Sequence, residues 1–229
     1  MEIDDERIAY AVSNTEVLKA PRQILATFGT TNIRYFLLTA PSYDELVKGP
    51  EETVVREGKV IAERPKVVTP SYMMSLAGFG ENAQRYFQHL IAEYGRNSPG
   101  ILYHYRNEHK ELNIVSGQIM AVRERIEKEM EGEPLVAIIR GVDEMWDVSL
   151  LKFIHDYTAR SVEGNITELG SQGLINVDSS GIPGDARQRI EEMFREVAMN
   201  REDPAQLKKE LDRWDLFHEY EDRFLQLFS

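Results

Sequence analysis

Thr53-Val54-Val55-Arg56-Glu57-Gly58-Lys59-Val60-Ile61-Ala62-Glu63 sets two β-prone runs on either side of a glycine. β-Branched residues suit a pleated, half-buried surface, and a glycine between two such runs marks a tight turn. The stretch predicts a hairpin turning at Glu57-Gly58 and closed by Pro65, with Val67-Val68-Thr69-Pro70 as a further edge piece. Upstream, residues 33–39 (IRYFLLT) form an aromatic and aliphatic run that stops before Pro41, the pattern of a buried strand. Downstream, residues 101–115 read as a second hairpin. Ile101, Tyr103 and Tyr105 face one side and Leu102, His104 and Arg106 the other, before a polar turn and a return over Leu112 to Val115. Residues 135–139 (LVAII), between Pro134 and Gly141, fit one more buried strand.

Helical spacing fills the gaps. Phe87, Leu90, Ile91 and Tyr94 predict a helix opening near Phe79 and stopping at Gly95. Ile119, Val122, Ile126 and Met130 form a stripe over 117–131, with Ser116 as N-cap and Glu124–Lys128 as an i,i+4 pair. Because that helix links two strands, the domain boundary is placed at 142. Three helices are expected after it: about 147–170, one capped by Asp185 with Gln188 in a capping-box position, and one opening at Asp203-Pro204 and running to the end. The expectation is an α+β fold: a small, mostly antiparallel sheet with flanking helices over 1–142, then a helical part over 143–229, packed as two domains or as one continuous core.

Charge divides at the same place. Residues 1–142 carry 17 Lys+Arg against 20 Asp+Glu, and residues 143–229 carry 10 against 19, so −9 of the net −12 lies in the helical part. Such a surface repels phosphate backbones, which argues against nucleic acid, and it favours basic partners or solubility. With no cysteine, disulfides, thiolate nucleophiles and thiolate metal sites are excluded, as suits a reducing compartment. The acidic start has neither a basic nor an apolar leader region, and the longest apolar run is far too short for a membrane span. A soluble, cytoplasmic protein is the expectation.

Several residue groups have the right types for chemistry. Asp44 with Glu57-Gly58-Lys59 follows the order of a magnesium-dependent nuclease core, but a turn at Gly58 leaves Glu57 and Lys59 solvated at a hairpin tip. His104, Arg106 and Glu108 share one face of the second hairpin, where an imidazole, a guanidinium and a carboxylate suit anion binding or proton transfer. His155 and Asp156 lie on one helix, with Asp147, Lys152 and His155 in neighbouring turns, yet no histidine has a partner at metal-binding spacing. Residues 176–181 (NVDSSG) copy half of a calcium loop, with Arg187 standing where the bidentate glutamate belongs. No phosphate loop and no Gly-x-Ser-x-Gly elbow is present, and neither a cofactor nor a metal is expected.

The strongest non-enzymatic pattern closes the chain. Trp214, Phe217, Tyr220, Phe224 and Phe228 spread aromatic mass over more than one helix face among acidic residues. Two functions are therefore expected in order. The first is an interaction or regulatory module that binds itself or a protein partner through this helix, with no membrane role. The alternative is an enzyme, hydrolase-type or binding a small anion, with its site at the 101–109 hairpin.

Overall fold

A computed structural model describes residues 2–42, 51–75, 88 and 91–228. The fold is α+β, with a five-stranded mixed sheet, a two-stranded sheet and helices in the C-terminal region. The chain divides into two compact units, one built from residues 1–64 and 103–165 and the other from 65–102 and 166–229. The expected boundary at 142 falls inside the first.

That first unit opens with α1 (Glu2–Ser13) and holds the larger sheet: β1 (Glu16–Lys19), β2 (Thr31–Thr39), β3 (Glu52–Ala62), β6 (Tyr105–Ser116) and β7 (Val136–Arg140), in the order β1-β7-β2-β3-β6. Only β2 and β7 are parallel. Both were expected as buried strands, and both are covered on each face. Ile33, Tyr35 and Leu37 pack with Ala137, Ile139, Phe153 and Tyr157, the last two from α4 (Trp146–Ser171), whose residues up to 165 belong to this unit. Phe36, Leu38 and Ile138 meet Val122 and Ile126 of α3 (Ile119–Glu129) on the opposite face. A strand clothed twice needs a continuous apolar run, and that is why these two were readable.

The opening stretch is not a hairpin. β3 is one eleven-residue strand paired to β2 on one side and β6 on the other, and Gly58 sits in mid-strand opposite Tyr35 and His109. Its role is to make room: a Cβ there would lie 2.5 Å from Cζ of the fully buried Tyr35. The 101–115 hairpin is also absent. Residues 105–116 form one edge strand, with a bulge that leaves Lys110 between the residues pairing with Glu57 and Gly58. Its charged middle is the exposed rim of a sheet. Ser116 ends that strand, and the N-cap of α3 is Gln118.

In the second unit, β4 (Lys66–Val68) pairs antiparallel with β5 (Gly100–Leu102), and α2 (Pro70–Met74) follows β4 under a Thr69 cap. Past the end of α4 come α5 (Gly184–Ala198), α6 (Pro204–Arg213) and α7 (Phe217–Gln226). The single last helix expected from Pro204 onward is therefore two, broken where Asp215 takes a left-handed φ of 56°. Asp203 caps α6 as expected, by accepting the Ala205 amide. Asp185 does not cap α5. Pro183 holds that position, and the fully buried Asp185 carboxylate accepts the Val67 amide at 2.9 Å and Arg189 Nε at 3.2 Å. Next to it Glu210, 6% exposed, accepts from Arg189 (3.0 Å), Trp214 Nε1 (3.2 Å) and the Tyr72 hydroxyl (3.1 Å). The helix expected over 79–95 lies mostly outside the described residues.

Candidate functional site

Two parallel neighbours deliver their carboxyl ends to the same edge of a sheet, the edge at which open sheets with parallel strands form their ligand crevices. Here β2 ends at Thr39 and β7 at Arg140, and beyond them lies a cleft of about 1350 Å³ walled by α1, residues 40–42 and residues 141–145. Gly141 starts one wall. Its amide bonds the Leu38 carbonyl at 3.0 Å, and a Cβ would come within 2.6 Å of Ser149 Oγ, so only glycine lets the chain pass α4 so closely. The buried Ser149 hydroxyl accepts the Val142 amide (3.3 Å) and lies 2.7 Å from Thr15 Oγ1, which also bonds the Ala11 carbonyl. That hydroxyl chain fastens the C-terminal end of α1 to the wall.

Charge lines the cleft in pairs. Asp143 accepts the Thr39 hydroxyl at 2.7 Å and Arg56 Nη1 at 2.6 Å, while Arg56 also lies over the Trp146 ring. Burial pushes the Asp143 carboxyl up, but the Thr39 hydroxyl and the Arg56 guanidinium outweigh it and hold it below the ordinary aspartate range. At the rim Arg7 meets Glu144 at 3.0 Å and Arg140 meets Glu16 at 2.6 Å. Glu6 and the 60% exposed Tyr10 complete the α1 side.

The sequence-predicted groups lie elsewhere. Arg106 and Glu108 do meet, at 3.0 Å, with Lys59 on the other side of Glu108 at 3.0 Å. His104 does not join them among the described residues: it sits exposed between β5 and β6, its carbonyl accepting the Glu63 amide. Glu57 is 6% exposed and tied to Arg34 (2.7 Å) and Lys110 (2.9 Å), so it is neither solvated nor a free metal ligand. Asp44 lies outside the described residues. Asp178 spends its carboxylate on the amides of Ser180 and Ile182 and on Arg187. His155 and Lys152 pair with Asp156 on an exposed surface. Among the described residues no group of three His, Asp or Glu side chains could hold a metal, and no helix is long and apolar enough to cross a membrane.

Of the aromatic residues at the chain's end, Trp214 is buried, and Phe217, Tyr220 and Phe224 are half-buried against the Ile190–Phe194 side of their unit's core. Phe228 is 63% exposed. Sequence reasoning missed the cleft because its parts are single residues far apart. The one local signal was Arg140-Gly141, a charge and a glycine ending an apolar strand. Compared with known proteins, the chain matches no protein family, no curated protein and no solved structure.

Proposed function

We propose that this protein is a binding module, and that the cleft at the carboxyl ends of β2 and β7 takes a small polar ligand. The observation that carries the reading is the position of a roomy, charge-lined crevice at the place where open sheets with parallel strands bind ligands. Dialysis of the purified protein against the polar fraction of a cell extract, followed by native mass spectrometry, tests it. A stoichiometric added mass is expected on the wild type and not on Ser42→Trp, which sets a bulky ring on the cleft wall. Equal retention by both proteins, or none by either, overturns the reading.

A second reading is association through α7, with itself or with a more basic protein. It is favoured by Leu225 and Phe228, which are 56% and 63% exposed beside Glu221 and Asp222. Light scattering on Phe228→Asp tests self-association: the mass in solution should fall to that of a monomer, and an unchanged mass removes that form of the reading.

A further inference from the structure

We infer that the ligand of this cleft is a neutral, hydroxyl-rich molecule of the sugar or polyol class, an inference that rests on the cleft being a ligand site. The charges decide it. Among the described lining residues, three of the four carboxylates are already matched: Glu144 with Arg7, Glu16 with Arg140, and Asp143 with Arg56 behind it. The fourth, Glu6, leaves an excess of negative charge. A phosphate or carboxylate ligand would meet only guanidinium groups whose charge a carboxylate already balances, and would also face that excess. A strongly cationic ligand would find one unmatched carboxylate, Glu6, and would lie near the guanidinium groups of Arg7 and Arg140.

A hydroxyl group breaks nothing. A carboxylate in a single contact with a guanidinium keeps most of its lone-pair sites, and the guanidinium keeps most of its five N–H donors. Each rim pair therefore offers a strong acceptor and strong donors side by side. Neighbouring hydroxyls, each both donor and acceptor, match that arrangement, and hydrogen bonds to charged groups are the stronger kind. Tyr10 adds an exposed ring on the α1 wall against which the C–H face of a sugar can lie. The volume, about 1350 Å³, exceeds the ~300–1,000 Å³ of a site for one drug-sized molecule, so the cleft admits more than one ring.

Backbone amide spectra of the full chain, recorded during titration with maltotriose, cellotriose, myo-inositol, inorganic phosphate and spermidine, test the class. The expected result is saturable movement of the Gly141, Val142 and Ser42 amides with at least one neutral probe and none with phosphate or spermidine. Glu16→Gln and Glu144→Gln should each weaken that binding about tenfold while leaving the melting temperature within a degree or two, and Tyr10→Ala should weaken it further. Saturable movement with phosphate or spermidine alone overturns the class and keeps the cleft as a ligand site. No movement with any of the five overturns the class, and retention of an extract ligand by the wild type but not Ser42→Trp would still uphold the cleft.

Discussion

Gly58→Ala should destabilise the first unit by about 2 kcal/mol. The added Cβ lies 2.5 Å from Tyr35 Cζ, where carbon atoms rest at about 3.5–4.0 Å, so ring or strand must yield by roughly 1 Å. Neither has slack: Tyr35 is fully buried, its hydroxyl donates to Asn107 at 3.1 Å, and β3 is paired on both sides. Overpacking costs about 1–3 kcal/mol and a lost hydrogen bond about 0.5–1.5, against about 0.5–1 gained by replacing glycine within a strand. The two tryptophans report on the units separately, Trp146 on the first and Trp214 on the second. Urea unfolding followed by the fluorine resonances of 5-fluorotryptophan-labelled protein should show an earlier midpoint for Trp146 alone. In a Tyr35→Leu background, which removes the obstructing ring atoms, the same substitution should become neutral or mildly stabilising. A Trp146 midpoint that stays put or rises in the Tyr35 protein would refute the packing role of Gly58.

Three further outcomes are expected. Glu210→Ala should cost about 3–5 kcal/mol, because it removes the buried acceptor shared by Arg189, Trp214 and Tyr72 and leaves Arg189 to Asp185 alone; Trp214 fluorescence in urea measures it. The depressed pKa of Asp143 means that its ionised form stabilises the fold above the unfolded-state pKa and that this contribution is lost as pH falls through the folded value. Asp143→Asn should therefore flatten the acid limb of stability below about pH 4 when Trp146 is followed by titration. Asp215→Gly should relieve the left-handed backbone between α6 and α7 and gain about 0.5 kcal/mol, or 1–2 °C in calorimetry.

What the sequence made legible was what repeats locally. β2 and β7 are mostly apolar runs, and α3 and α4 carry stripes at helical spacing, so all four emerge close to their observed positions. Gly58 was misread because a glycine between β-branched runs looks the same in a turn and in a central strand. The residue that distinguishes them, Tyr35, is 23 positions away and has no local mark. β6 was misread for a different reason. An edge strand facing water keeps its charges, and its bulge at Lys110 breaks the alternation that would have announced it. Asp185 shows a third kind of failure: its spacing to Gln188 suits a cap, yet a buried strand amide 118 positions back claims its carboxylate. The cleft was hidden for the same cause, since Thr15 and Ser149 meet across 134 positions.

The chain passes between its two units three times, at 64–65, 102–103 and 165–166, and this orders events on the ribosome. When β2 and β3 emerge they can pair only with each other, because the other neighbour of β2 begins at Val136. At about 5–20 residues per second, the 73 residues between Ala62 and Val136 take on the order of 4–15 s to be made. Until then the Leu37 and Leu38 strand keeps an open edge; α3 reaches one of its faces shortly before β7 is made, and α4 covers the other only afterwards. The first core can close once Tyr157 is out, whereas the second waits for Leu211 and Trp214. A nascent chain of this protein thus exposes an unpaired strand edge until β7 is made, and slowing translation after residue 62 should lower soluble yield.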